Sequence, residues 1–516
     1  MTPLVEIAAL VCLVWASIVL FIQFVGISAI YRHFSRKPQP PQASKLSHNA
    51  PVVTIIRPVK GLEPKLYECI ASTFHQNYPR DKVSIRLCIE DKTDPAYPVL
   101  KKILDDFPAY DARILIENED PALHGSSSQI SNLGPNPKIR NISRAYREAK
   151  DDIIWVIDCN VWVSSGVLGR MVDRLMGFTA PGEPPALPFK FVHQMPLVVD
   201  LEDYTRSMTS EDQAFLSSPV EASPTTDPIV DGTPGTLDRI LQTGGGRLDE
   251  MFMATSHVKF YCAINVVSIA PCIVGKSNMF RKSHLDLVTD PVHNPILSKN
   301  NARPPASNIP GFANHGIVWG DLALQPMAGM SIANYAARRV RWLRARKFTV
   351  LAATLVEPGI ESFLCSAYLA FAVTTLPWFH DTFGIEQTWS SMALVWFISI
   401  LSWMLIDWVL FRFLHTGKTV EIDPDTPGFA RGTSNAFGMR KRPLLEWVAA
   451  WLGREVLALP VWTWAVLLGT TVNWRGKTFH VRLDTTVEEL TNGAPARTTR
   501  TPELERARMP SKDRQD

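Results

Sequence analysis

Ile153-Ile154-Trp155-Val156-Ile157-Asp158 is five apolar residues in a row, closed by a carboxylate. A run this short, rich in β-branched residues and without alternation, is a strand covered on both faces. Upstream, Val52-Val53-Thr54-Ile55-Ile56 is a second such strand, ending at Arg57-Pro58. Ser84-Ile85-Arg86-Leu87-Cys88-Ile89 alternates as a third, and Ala112 to Ile116 is a fourth. Between them, Leu66, Ile70 and Phe74 recur at helical spacing, as do Val99, Leu100, Ile103, Leu104 and Phe107, and Asn141 to Lys150 reads as a helix. Strands alternating with helices predict a largely parallel α/β sheet with its ligand site at the strand carboxyl ends. No GxGxxG follows the first strand and no GxxxxGK[ST] occurs. That argues against a dinucleotide site and a P-loop.

Around this sheet the composition changes. The 516 residues carry 53 basic and 50 acidic side chains, too even a balance for a nucleic-acid binder. Charged residues make up only 20% and there are 15 Trp, which together predict that part of the chain lies in lipid. Ile7 to Ile30 is uncharged and long enough to cross a bilayer. Arg32, His33, Arg36 and Lys37 follow it, so the N-terminus is expected in the lumen and the next domain in the cytosol. The apolar core is too long for a cleaved signal peptide, and no basic segment precedes it. Ile360 to Phe379, Trp389 to Phe411 and Leu444 to Val472 are expected as three further membrane segments, the last interrupted by Arg454, Glu455 and Pro460. An intramembrane Asp407, or Arg454 with Glu455, is costly unless paired.

The expected organisation is an anchor over 1–35, an α/β domain over 36–348, a membrane region over 349–475 and a disordered tail over 476–516. Three polar stretches, 203–247, 289–311 and 417–443, interrupt the pattern, the first read as a disordered insertion. Seven Cys are scattered with no CxxC pair, which suits a reducing compartment.

Asp91 and Asp158 each follow a strand, where a carboxylate can hold a hard divalent cation against phosphate oxygens, or simply cap the next helix. Lys60-Gly61 forms a positively charged turn on the same edge, and Asn136-Pro137-Lys138 with Asn141 is a second polar cluster. Arg338-Arg339-Val340-Arg341-Trp342 continues to Leu343-Arg344-Ala345-Arg346-Lys347. Arg338 and Arg341 share a helix face, and their guanidinium forks suit a pyrophosphate. Arg339, Arg344 and Lys347 are free to meet lipid headgroups in the same helix.

Together these residues resemble the ceramide glucosyltransferases, whose pattern is three spaced aspartates followed by (Q/R)xxRW. Asp91 looks like the first aspartate, Asp158 the second, and Arg338, Arg341 and Trp342 the closing motif. Arg57-Pro58-Val59-Lys60-Gly61, Thr255-Ser256-His257 with Tyr261, and Gly275-Lys276-Ser277-Asn278-Met279 support the likeness. The resemblance implies a cytosolic GT-A fold in the Golgi membrane and inverting transfer of glucose from UDP-glucose to ceramide. Asp91, Lys60, Gly61, Lys138, Asn141 and Asp158 would bind the donor, Asp158 also Mg²⁺ or Mn²⁺, and His257 would line the acceptor pocket. Arg338, Arg341 and Trp342 would act on the departing UDP.

The chain departs from that family at one point. The third aspartate, in a Glu-Asp pair, is the expected base, and no Glu-Asp pair occurs between Lys282 and Trp319. Asp286 and Asp290 lie in that stretch, and Asp321, in Gly320-Asp321-Leu322, is the best remaining carboxylate nearby and is the substitute expected here. Two other readings remain open: a processive polysaccharide synthase using a UDP-sugar, and a non-catalytic member that binds nucleotide and regulates.

Overall fold

A computed structural model describes residues 3–124, 136–201, 236–268, 272–289, 311–347, 350–474, 477–481 and 487–490. Helix α1 (Pro3–Phe34) leads into the first strand, β1 (Val53–Pro58), followed by α2 (Leu66–Ala71), β2 (Val83–Ile89), α3 (Tyr97–Asp106) and β3 (Asp111–Ile116). Next come α4 (Pro137–Glu148), β4 (Ile153–Ile157), α5 (Val167–Met176) and the long β5 (Phe191–Asp200). Helices α6 (Thr236–Thr243), α7 (Gly245–Phe252) and α8 (Val258–Val267) precede β6 (Ser277–Arg281), α9 (Lys282–Thr289), β7 (Gly316–Met327) and α10 (Ile332–Arg346).

The seven strands form one sheet in the order β3-β2-β1-β4-β6-β5-β7. β1 pairs in parallel with β2 and β4, and β2 with β3, while β6 runs antiparallel to both β4 and β5. Four carboxyl ends and the start of β6 therefore meet on one edge. Ile55, Ile56, Trp155 and Ile157 are wholly buried, as the uninterrupted apolar runs require. The parallel α/β expectation is met, and β6 makes the sheet mixed.

Helices α11 (Ser362–Thr375), α12 (Trp389–Leu414) and α13 (Leu444–Trp462) follow. Among the described residues two helices, Pro3–Phe34 and Trp389–Leu414, are long and apolar enough to span a membrane. A third crossing would need the pair Leu351–Ile360 and Ser362–Thr375, bent by 71°. The expected span from Leu444 is not among them. Helix α13 instead buries Trp447, Trp451, Arg454 and Glu455 against protein. The charges that interrupt it are paired: Arg454 with Glu455, and Ser362 Oγ donates to Glu455 at 2.5 Å. Asp407 inside α12 is neutralised by Lys259 at 2.6 Å and accepts from Trp451 Nε1 at 2.9 Å.

Two expectations of disorder need correction. Residues 236–247, counted with the insertion, are helical in α6 and at the start of α7, because α7 buries Leu248, Met251 and Phe252; 203–235 lie outside the described residues. In the tail, β9 (Lys477–Val481) pairs with β8 (Thr471–Trp474) and with β10 (Val487–Leu490). The stretch 417–443 has no regular elements, yet Val420, Phe429 and Ala430 are buried.

Candidate active site

The site forms where β1, β2 and β4 end and β6 begins. Arg57 closes β1 with no exposure at all. Its guanidinium donates to the carbonyls of Asp158 (2.7 Å), Val161 (2.9 Å) and Cys69 (2.8 Å), which fixes the turn after β4. Asp158 N–H donates to the Lys276 carbonyl at 2.9 Å, so ladder geometry sets Lys276 beside the carboxylate. Asn136 caps α4, its Oδ1 accepting from Lys138 N–H at 3.0 Å, with Pro137 in the first turn. That cap aims Lys138 at the same carboxylate. Lys138 Nζ lies 2.5 Å from Asp158 Oδ1 and Lys276 Nζ 3.1 Å from Oδ2. Burial raises the Asp158 pKa, but Lys276 and Lys138 outweigh it and the net shift is downward. Burial lowers Lys276, which Asp158 opposes and the nearby Arg338 reinforces.

That last pairing brings α10 into the site. Ser331 caps it, its Oγ accepting from Asn334 N–H at 3.1 Å. Arg338 lies 4.8 Å from the Trp342 ring centre, Nε 3.5 Å from Asp249 Oδ2 on α7. Arg341 is exposed, and its pKa falls through burial of its stem and repulsion from Arg338. Lys138 and Lys276 thus put two cations on the Asp158 carboxylate, and Arg338 lies near enough to Lys276 to repel it, a charge pattern that suits a diphosphate.

Asp91 sits one strand away. Its carboxylate accepts from Asn118 Nδ2 at 2.9 Å and Thr93 N–H at 2.8 Å, holding its pKa down to about 2. Gly61, at φ +67°, offers its N–H to Asp94, and Lys60 pairs with Glu90 at 3.4 Å. Asn141 is a staple rather than an exposed ligand: it is buried and donates to the carbonyls of Val59 and Cys88.

A divalent cation can be tested against these donors. Among the described residues no group of three His, Cys, Asp or Glu could hold a metal. Asn160 Oδ1, however, two residues beyond Asp158, is buried without a hydrogen-bond partner. One carboxylate and one orphaned amide oxygen fit a cation that draws its remaining ligands from phosphate and water.

Three expectations change. Asp321, the substitute base, is fully buried in β7 and accepts from Arg170 Nε and Nη2, each at 2.7 Å, while Arg170 also binds Glu421 at 2.8 Å. Burial raises its pKa and Arg170 opposes that rise. The bidentate pair locks α5 to β7, Glu421 ties the same guanidinium to the 417–443 stretch, and the Asp321 carboxylate is thereby engaged. His257 does not join the strand ends. It sits in a π-helical turn between Phe252 and Tyr261, burial with Arg339 and Arg346 pushing its pKa down to about 3. Nor do Arg339, Arg344 and Lys347 face lipid: Arg339 meets Glu357 at 3.5 Å, Arg344 donates to the Thr471 carbonyl at 2.7 Å, and Lys347 to Val466 at 2.6 Å.

Lys276, Asp249 and Arg57 carry more of this site than their sequence positions reveal. A lone Lys before a strand, an Asp inside an amphipathic helix and an Arg closing an apolar strand have no spacing signature; only the buried charge in Arg57's strand was a hint.

The model of Glycosyl transferase family 21 matches residues 11–200 and 317–487. A ceramide glucosyltransferase of Gibberella zeae is 51% identical over the whole of both chains. That of Pyricularia oryzae is also 51% identical, over 93% of this chain and 94% of its own. A solved mannosyltransferase from Pyrobaculum calidifontis aligns with 80% of this chain and 98% of its own at 12% identity and a TM-score of 0.35.

Proposed function

The chain belongs to glycosyl transferase family 21, and on that premise we propose that it is a ceramide glucosyltransferase, transferring glucose from UDP-glucose to ceramide with inversion, in a Golgi membrane with its α/β domain in the cytosol. The observation that carries the donor half of this reading is the convergence of Lys138, Lys276 and Arg338 on the Asp158 edge. The acceptor half rests on the full-length likeness to relatives of that name.

In this mechanism the diphosphate takes Lys138 and Lys276 as partners in place of Asp158. Arg338 and Arg341 hold its outer oxygens, and the Trp342 face stiffens Arg338. Asp91, ionised at every working pH, accepts hydrogen bonds from the uridine or ribose end. As the anomeric bond breaks, negative charge grows on the departing UDP, where these cations already point. Preorganised charge of this kind contributes on the order of 3 kcal/mol per group. Asp158 and Asn160 would hold Mg²⁺ or Mn²⁺, which would supply further charge to the same oxygens. The chain's membrane helices let an acceptor diffusing in the bilayer meet a soluble donor.

A second reading, nucleotide binding without turnover, is favoured by one observation: Asp321 is engaged and the expected Glu-Asp pair is missing. Transfer of labelled glucose to a short-chain ceramide by purified protein, lowered on the order of 10²–10³-fold in Asp158→Ala, tests the main reading. Tight UDP binding with no transfer by the unaltered chain would establish the second.

A further inference from the structure

Helix α12 meets the sheet at a cavity of about 220 Å³ walled by Leu322 and Leu324 of β7 with Phe411 and Trp447. Arg412, Arg440 and Lys441 border it, all three exposed. Their neighbours are engaged: Glu250 takes Arg442 at 3.1 Å and His415 at 3.6 Å. Among the described residues the three outer cations have no carboxylate partner; Arg412 instead lies 5.0 Å from the Trp408 ring centre. A second hollow of about 370 Å³, with Tyr31 and Phe413 in its wall, shares Arg412, Lys441 and Trp408 with the first. Two apolar hollows therefore straddle one cationic ridge at the polar end of a membrane-length helix.

We propose that this ridge binds an anionic glycerophospholipid, its phosphate on Arg412, Arg440 and Lys441 and its acyl chains in the two hollows. Charge complementarity selects that occupant. Ceramide and its glucoside are neutral and gain nothing from three unpaired cations, and a nucleotide sugar has no use for apolar walls. Juxtamembrane cations beside an interfacial Trp are the usual signature of an acidic-lipid contact. The site also reaches the donor edge. Lys441 adjoins Arg442, Arg442 clamps Glu250 on α7, and the next residue, Asp249, pairs with Arg338. A bound headgroup that orders Arg440–Arg442 steadies the arginine proposed to grip the diphosphate.

The test uses full-length protein in phosphatidylcholine vesicles with and without phosphatidic acid, read by a photoactivatable phosphatidic acid and, separately, by UDP affinity. The probe should label the wild type near Arg440, and phosphatidic acid should tighten UDP binding several-fold. The triple variant Arg412→Gln/Arg440→Gln/Lys441→Gln should lose both effects while binding UDP in detergent as wild type does. Variant Arg36→Gln/Lys37→Gln, which removes exposed cations elsewhere beside the membrane, should keep both. Equal labelling of the triple variant and wild type overturns the site, as does equal loss in the Arg36/Lys37 control. Displacement of the probe by inorganic phosphate alone would also overturn it, since the cations would then serve a soluble anion. None of these readouts depends on glucose transfer, so the site can fail while the proposed activity stands.

Discussion

Asp158 and Asp321 are both aspartates beside cations, yet the geometry divides them. Asp158 faces two lysines at a half-open edge, so a competing anion can take those lysines from it. Asp321 is gripped by a planar fork deep in the core. Replacing Asp158 by Ala should cost on the order of 10²–10³-fold in transfer. It should also abolish any gain in UDP affinity on adding Mg²⁺ or Mn²⁺, measured by calorimetry with and without chelator. Replacing Arg170 by Met should instead lower stability by about 3–5 kcal/mol, because Asp321 and Glu421 lose their counter-charge. Chemical denaturation of the detergent-solubilised protein measures that loss; an unfolding midpoint that did not move would refute the structural role. For pH, the folded Asp158 pKa lies below its ordinary 3.8. Its pairing therefore stabilises the fold above that ordinary value and is lost only as pH falls through the lower, folded one. UDP affinity should accordingly be flat from neutrality to about pH 5 on account of this group. On the alkaline side Lys276, lowered by burial, sheds its proton before an ordinary lysine would, and affinity should drop there first. The sequence disclosed Asp91, Asp158 and the Arg338–Trp342 motif because each follows a recognisable element. It concealed the engagement of Asp321, since a partner 151 residues away in the chain leaves no local trace.

At the scale of elements, the sheet was legible because buried parallel strands are written as apolar runs. β6 was not, since Ser277-Asn278-Met279-Phe280-Arg281 has too mixed a pattern to announce a strand, and only its pairing with β4 and β5 makes it one. Helix α13 is not among the helices long and apolar enough to span, because Arg454 and Glu455 interrupt it, and its Trp447, Trp451 and Val461 are buried against protein while Leu445 and Val456 stay exposed. The contact between α7 and α10 is where the donor site is tuned. Asp249 is wholly buried, with neither oxygen hydrogen-bonded and Arg338 at 3.5 Å. Asp249→Asn should leave the fold intact and raise KM for UDP-glucose more than it lowers kcat; a fall in kcat alone would show that Asp249 does not orient Arg338. The proposed reading puts the missing base between α9 and β7. The family match stops at residue 200 and resumes at 317, leaving out the stretch in which the Glu-Asp pair is expected. Restoring a Glu-Asp segment between α9 and β7, ahead of Gly316, should raise transfer by at least the ~10²-fold that general-base catalysis supplies, with UDP affinity unchanged.

At the scale of the molecule, the helices orient the domain. The C-terminal ends of α1 and α12 both abut the sheet: His33 stacks on Trp319 of β7 at 4.4 Å, and Phe411 and Leu414 reach the cavity walled by β7. Tyr31 and Phe413 pack at 4.6 Å between ring centres, so the two helices end together beside the sheet. Both candidate spans also end in a cation, Arg32 on one and Arg412 on the other. Two spans ending basic on the same side give that side a double bias toward the cytosol. The close approach of α1 to α8 holds this arrangement, because a Cβ at Gly26 would overlap the Lys259 carbonyl. With the α/β domain in the cytosol as proposed, residue 3 and the turn at 384–388, where α12 begins, are expected on the far side of the membrane from Asp158. A glycosylation acceptor placed in that turn should be modified in intact microsomes, while protease added outside should cleave the α/β domain and spare the acceptor. Cleavage at the turn with protection of the domain would invert the assignment. UDP-glucose would then have to reach the donor edge from the lumen.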